Sequence, residues 1–329
     1  MGPFFYKYVY FLIVYGNLKV YDNNYDIINL IKYINGVGNL TKESYVLENS
    51  RLKVIIDKPG CNYKGSRFDH SGFIRSIVLD GIHTFCVPES LKEGEGSGGL
   101  GICNEFGIFD AMGYTEAKVG EFYPKIGVGL IKKEDDKPYN FYIPHEFIPY
   151  IIKVEESSNT LRFFEDEKIC AGYGFSFIKT IEIEDNFLKI NYNLTNLGSK
   201  TIETHEYCHN FFGMDNSFVG ENYELKFPFQ IRAENVPDIL KINENKIIWG
   251  ETPKSDFYCR IEGYSKEKGN SWELTYKKSN LKVKEYDDFK VKLIALWGSA
   301  HVISPEVFVD INIKSGESMK WNRKYEFIV

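Results

Sequence analysis

Runs of β-branched and aromatic residues, broken at intervals by turn chemistry, recur along most of this chain and constrain its fold more than any single motif does. They cover residues 52–57, 73–79, 141–154, 175–184, 187–196, 200–212, 223–231, 290–297, 307–313 and 319–328. Most alternate apolar with polar or are rich in Val, Ile, Tyr and Phe, as half-buried strands do. Between them stand Asp57-Lys58-Pro59-Gly60, Glu184-Asp185-Asn186, Asn196-Leu197-Gly198-Ser199 and Lys314-Ser315-Gly316-Glu317, combinations suited to tight turns. The spacing predicts an all-β chain built as a large antiparallel sandwich. Helical periodicity is confined to residues 25–34 (YDIINLIKYI), which stop near Asn35-Gly36. We therefore expect an N-terminal extension, residues 1–44, holding a strand and a short helix, and one sandwich domain over residues 45–329.

With 329 residues, 43% of them apolar and 26% charged, the chain can bury a full core and is too hydrophobic to be disordered. Its net charge of -6 supplies no basic face for a phosphate backbone, so nucleic acid is not an expected partner. The six cysteines lie far apart with no C-x-x-C pair and read as reduced thiols of a cytoplasmic protein. Residues 8–15 (YVYFLIVY) follow Lys7 and imitate the apolar part of a secretory signal, but no A-x-A site follows. The run also falls short of the roughly 20 residues that span a bilayer. It reads as a buried strand, with a signal or anchor and a start-site artefact as the alternatives. No membrane partner is expected, and a homodimer is compatible with the sequence.

Residues 201–215 (TIETHEYCHNFFGMD) are the richest in chemistry. As a strand they would place His205, Tyr207, His209 and Phe211 on one face and Thr204, Glu206, Cys208 and Asn210 on the other. A lone histidine in such a run is more often a satisfied core residue than a functional group. Two in one row beside a tyrosine weigh against that reading. Imidazoles two apart can also share a zinc ion, but no further tight His or Cys cluster completes the coordination. In residues 65–72 (GSRFDHSG), alternation would align Arg67 with Asp69 and turn His70 the other way. An Arg and an Asp together can bind sugar hydroxyls or simply pair with each other. Residues 93–101 (EGEGSGGLG) form a mobile or strained loop; with no strand before it and no helix after it, a phosphate loop is not expected. Glu105 follows that loop, and Glu306 lies in Ser-Pro-Glu ahead of the penultimate strand. Isolated glutamates are usually solvated surface groups, so neither stands out unaided.

Several of these segments together resemble the aldose 1-epimerase (galactose mutarotase) related family. They are GSRFDHSGFI (65–74), GLGICNEFG (99–107), YPKIGVGLI (123–131), YNLTNLGSKTIETHEYCHNFF (192–212) and SPEVFVDINIKSGESMKWNRKYEF (304–327). The last two are the more specific, and the likeness runs from about Tyr45 to the carboxyl terminus. It implies the β-supersandwich fold and interconversion of aldose anomers without metal or organic cofactor. In that family an imidazole protonates the ring oxygen while a carboxylate takes the proton of the anomeric hydroxyl. The ring opens, the carbonyl carbon turns, and closure gives the other anomer. The resemblance makes Glu306 the base. It makes His209, in a Tyr-x-His-Asn-Phe pattern, or His205, in a His-x-Tyr pattern, the acid. Arg67 matches a substrate-side basic residue, and Asp69, His83, Glu105, Lys125 and Tyr207 are expected around the sugar. The signature N-H-x-Y-F-N of the sugar mutarotases is not literal here.

The implied chemistry wants an ionised carboxylate and a charged imidazolium on opposite sides of a space about one sugar ring wide. Two other functions use the same residues. One is a carbohydrate-binding or sensing protein without catalysis. The other is a phosphorylated-sugar epimerase, which needs two or more basic groups around the phosphate.

Overall fold

The structure is a computed structural model that describes residues 10–14, 17–21, 43–233, 235–266 and 271–329. The chain divides into two compact units, Met1–Ser44 and Tyr45–Val329. In the first, Tyr10–Val14 and Asn17–Tyr21 pair as an antiparallel hairpin, so the apolar run near the amino terminus does contain a strand. The helix expected at residues 25–34 lies outside the described residues.

The second unit is built from antiparallel sheet. One large sheet runs, in spatial order, through Ile152–Glu156, Thr160–Glu165, Phe175–Glu184, Phe187–Asn196, Ser318–Ile328, Leu281–Asp287, Ser271–Tyr276, Tyr223–Lys226, Lys246–Trp249 and Leu240–Asn243. The other runs through Phe257–Ile261, Val291–Gly298, Ile303–Ile313, Ile202–Asn210, Ile102–Phe106, Ile74–Leu79 and Leu52–Asp57. Ring pairs cross between the two sheets, including Phe106 with Phe177 at 5.4 Å, Phe85 with Phe327 at 4.8 Å and Phe212 with Trp272 at 6.0 Å. The interior of this sandwich is the main hydrophobic core.

Alternation explains the packing strand by strand. In Phe175–Glu184, Phe175, Phe177, Lys179, Ile181 and Ile183 are buried and the residues alternating with them are more exposed, the Lys179 ammonium being held by Asp69. Each apolar side chain of this set contributes about 1.5–3 kcal/mol on burial. The hairpin from this strand into Phe187–Asn196 closes over Asp185 and Asn186, with Asp185 at φ 51°, a conformation that Asp adopts more readily than most residues.

The structure corrects the sequence reading at two places. Residues 141–154 are not one strand: residues 141–146 belong to a loop, and Phe147–Pro149 and Ile152–Glu156 are separate strands in different sheets. Pro144 and Pro149 interrupt the run and lack the N–H a continuous ladder needs. Residues 65–72 are turns rather than a strand, so period-two alternation does not govern where their side chains go. A small third sheet of Phe122–Lys125, Gly129–Lys132 and Phe147–Pro149 stands beside the sandwich and carries Lys125.

Candidate active site

Ile202–Asn210 is a central strand with functional groups on both faces. Its inward face is locked to the opposite sheet. The Arg323 guanidinium donates to Glu206 at 2.9 Å and to Glu285 at 2.8 Å, the Trp321 indole N–H donates to Glu206 at 3.1 Å, and the Tyr325 hydroxyl donates to Asn210 at 3.0 Å. Buried polar groups anchored this fully hold the strand in one position. The outward face carries the row expected from alternation: the Tyr207 and His209 ring centres are 5.7 Å apart, and His209 stacks on Phe211 at 3.9 Å.

Neighbouring strands complete the patch. Tyr207 sits opposite Glu105 on Ile102–Phe106, and on the other side Ile303–Ile313 contributes Ser304, Glu306 and Phe308. The Tyr207 hydroxyl donates to Glu105 Oε2 at 2.7 Å while its ring stacks on Phe308 at 4.3 Å. Arg67 reaches in from the turn at residues 65–72. Its Nε donates to Glu105 at 2.8 Å, one terminal nitrogen to Tyr207 Oη at 3.2 Å and the other to Ser97 Oγ at 2.7 Å, with Glu89 at 3.4 Å. Lys125 Nζ lies 3.6 Å from the free oxygen of Glu105 and donates to Tyr139 Oη at 2.9 Å. Burial pulls the Lys125 ammonium down to about 8, against the opposing pull of Glu105.

The His209–Glu306 pair lies at the end of this patch. His209 Nε2 is 3.3 Å from Glu306 Oε1, and Ser304 Oγ touches both, at 2.8 Å from His209 Nδ1 and 3.1 Å from Glu306 Oε1. Ser304 Oγ also accepts the Asn210 backbone N–H at 2.9 Å. With the serine hydrogen directed at Glu306, the network assigns a hydrogen to Nδ1 and leaves Nε2 facing the carboxyl group. Burial pushes Glu306 up to about 8 and holds His209 well below the usual imidazole range, with the Arg67 charge reinforcing the shift at the histidine. Both shifts favour a neutral imidazole beside a protonated carboxyl group. Burial thus works against the charged pair expected from the sequence, because a dry setting penalises both charged forms. The expected sugar-wide separation is also replaced by direct contact. Arg67, Glu105, Lys125, Tyr207, His209 and Glu306 are each at most 5% exposed.

The structure thus brings Arg67, Glu105, Lys125, Tyr207, His209 and Glu306 into one cluster. His205 shares their row but lies against Phe109 at 5.0 Å and Phe308 at 5.9 Å, with no hydrogen-bond partner at Nε2, and burial pulls it down to about 4. Asp69 and His83 are not brought into the cluster. Asp69 accepts from the Ser71 N–H and hydroxyl, both at 2.6 Å, and from Lys179 at 3.2 Å, on the same side of Ile102–Phe106 as the inward-facing Asn104. His83 pairs with Asp215 at 3.1 Å on the short strand His83–Thr84.

Several members escaped the sequence reading. Ser304 stands two residues before Glu306 on the same face of its strand, a period-two signal that was available. Glu89 had none: it accepts from the Ser97 and Gly99 N–H groups at 2.6 and 3.1 Å, so one carboxylate fastens both the Gly-rich loop and Arg67. The shape of that loop depends on its glycines: Gly96 and Gly98 have φ 79° and 83°, values that residues with a Cβ rarely adopt. Phe141 and Tyr142 lie over the Arg67 guanidinium, with ring centres 4.5 and 5.5 Å from its central carbon.

No family model and no curated protein matches the sequence. Solved structures do. A galactose mutarotase related enzyme from Lactobacillus acidophilus is similar with a TM-score of 0.57 at 13% identity, over 87% of this chain and 97% of that one. The Slr1438 protein from Synechocystis sp. PCC 6803 is similar with a TM-score of 0.58 at 13% identity, over 86% and 95%. A GalM/aldose epimerase homologue from C. elegans is similar with a TM-score of 0.51 at 12% identity, over 87% and 99%. Antiparallel sheets in the same arrangement, matched over nearly the whole of each neighbour, establish that this chain has the galactose mutarotase-like fold.

Proposed function

We propose that this protein interconverts the anomers of an uncharged aldose by acid/base ring opening, with His209 and Glu306 moving the protons. The observation that carries the reading is the His209–Glu306 contact at 3.3 Å. An imidazole and a carboxyl group in contact form two proton arrangements with the same total charge, and one proton transfer separates them. Burial favours the neutral arrangement, and hydroxyl groups of a sugar between the two residues favour the charged one. In the charged arrangement His209 gives a proton to the ring oxygen and Glu306 takes the anomeric proton. Ring opening then leaves a neutral imidazole beside a protonated carboxyl group, the pattern that burial already prefers. Closure runs the two transfers backwards on the other face of the carbonyl and restores the starting state. Arg67, Glu105 and Tyr207 offer donors and an acceptor for the hydroxyls, and Ser304 sets the imidazole orientation.

The cations of the cluster argue for an uncharged substrate. Arg67 is matched by Glu105 and Glu89 and Lys125 by Glu105, which leaves no basic pair for a phosphate. The structural neighbours whose names carry galactose mutarotase and aldose epimerase support the same reading. A cytoplasmic setting belongs to it as well, supported by six unpaired cysteines. Among the described residues, no helix is long and apolar enough to cross a membrane.

Proton exchange spectroscopy on D-glucose and D-galactose tests the proposal. The wild type should accelerate anomer exchange over buffer, and Glu306→Gln and His209→Asn should each abolish the acceleration. No acceleration on either sugar would sink it. The second reading, sugar binding without catalysis, is favoured by the closeness of His209 and Glu306, and saturable binding without exchange would select it.

A further inference from the structure

The proton-carrying cluster is covered, and the rings of Phe141 and Tyr142 over Arg67 and of Tyr139 against Lys125 come from one short stretch. Residues 134–146 are the loop of the hairpin formed by Gly129–Lys132 and Phe147–Pro149. The base of that loop is closed by the Lys132 N–H donating to the Glu146 carbonyl at 3.0 Å and by their side-chain ion pair at 2.9 Å. The loop itself contains no strand, and Tyr142 and Ile143 are exposed on it. With its ends held together, the loop has the form of a compact surface loop, and a local opening would break only its own attachments.

Its attachments to the body converge on the site. The Tyr139 hydroxyl accepts from Lys125 at 2.9 Å, the His145 N–H donates to Ser66 Oγ at 3.0 Å beside Arg67, and the Tyr114 hydroxyl donates to the Lys137 carbonyl at 2.6 Å. The Arg67 guanidinium lies between aromatic rings, 4.6 Å from the centre of Phe68 and 4.5 Å from that of Phe141, with Tyr142 at 5.5 Å. Space adjoins the loop: a cavity of about 350 Å³ is lined by Tyr114, Glu134, Tyr139, Ile143 and His145. Two aromatic rings held over a hydroxyl-binding group by stacking alone can change partner without leaving a buried polar atom unsatisfied.

We propose that residues 134–146 form a lid over the sugar site and that Phe141 and Tyr142 are its aromatic lining. They stack on the Arg67 guanidinium in the closed arrangement and on the apolar face of the pyranose once it has entered between them and Arg67. The ligand class is thus a sugar whose axial C–H groups form a continuous apolar face. The proposal rests on the reading of the cluster as a sugar site.

Two measurements on Phe141→Ala/Tyr142→Ala separate the lid from that reading. Modification of Lys125 by trinitrobenzenesulfonate, followed by peptide mass spectrometry, needs neither sugar nor turnover. Removing the rings should speed labelling of Lys125 at least about tenfold, while the exposed Lys254 is labelled as before. An unchanged Lys125 rate overturns the lid. Calorimetric titration with D-glucose and D-galactose should show affinity weakened about tenfold in the same variant, the worth of a lost stacking contact. Wild-type affinity overturns the lining. Phe141→Tyr/Tyr142→Phe keeps both rings and should label and bind as the wild type does; if it behaves like the alanine variant, stacking is not the cause. If the wild type binds neither sugar, the sugar reading and the lining fall together, and the labelling rates still decide the lid.

Discussion

His209 Nε2 and Glu306 Oε1 come from adjacent antiparallel strands and meet at 3.3 Å, with Ser304 Oγ bridging the other imidazole nitrogen to the same carboxyl oxygen. Two residues 97 positions apart in sequence are thereby joined in a closed ring of polar contacts, shielded from water by Phe68, Phe211 and Trp297. The protonation of this ring makes the stability of the fold depend on pH.

Glu306 is pushed up to about 8 in the folded protein, from an ordinary value of 4.5. A carboxyl group raised on folding favours the folded state fully below its unfolded value, and that contribution is lost as pH rises towards the folded one. Relative to Glu306→Gln, the wild type should lose stability between about pH 4.5 and pH 8, by at most roughly 1.4 kcal/mol for each pH unit crossed. Urea unfolding of both proteins across this range measures it, and parallel pH profiles would refute a proton held on Glu306.

His205 moves the opposite way, to about 4 from an ordinary value of 6.5. Its contribution is present above pH 6.5 and disappears as pH falls through 4. His205→Phe keeps a ring between Phe109 and Phe308 and removes the unpartnered nitrogen, so it should leave stability at pH 7 within about 1 kcal/mol of the wild type, or raise it. It should also flatten the acid limb of the stability profile. Sugar exchange, where the wild type shows it, should survive this change, and a drop of more than about tenfold would move the acid from His209 to His205.

Ser304→Ala removes both bridging contacts and the acceptor for the Asn210 N–H. A cost of about 1–3 kcal/mol in denaturant unfolding is expected for the buried groups left without partners. The imidazole also loses the contact that fixes its orientation, so, where the wild type exchanges anomers, kcat should fall more than KM rises. An unchanged kcat would show that Phe211 and Trp297 alone orient the ring.

Arg67→Lys keeps the charge and loses the planar fork that reaches Glu105, Tyr207 and Ser97 at once. Destabilisation of about 1–3 kcal/mol is expected in urea unfolding, because the buried Glu105 loses its closest cation and keeps the Tyr207 hydroxyl at 2.7 Å and Lys125 at 3.6 Å. Stability equal to that of the wild type would mean that Lys125 neutralises Glu105 by itself.

Much of the architecture was legible from residue order. The alternation of residues 175–184 and 187–196 and the Asp185-Asn186 turn between them specify a hairpin with one buried face, since a strand's side chains have a period of two and no other register keeps the apolar set inside. The same period placed His205, Tyr207 and His209 in one row, and the aldose 1-epimerase-like segments pointed to Arg67, Glu105, Lys125 and Glu306, which share one cluster. Packing in three dimensions settled the rest. Arg67 and Asp69 are two positions apart and end on opposite sides of Ile102–Phe106, one with Glu105 and the other with Lys179 and Asn104, because turns have no fixed period. Whether His209 and Glu306 are charged could not follow from their identity, since that depends on how much water and how many neighbouring charges surround them. Those surroundings are assembled from four distant stretches of chain.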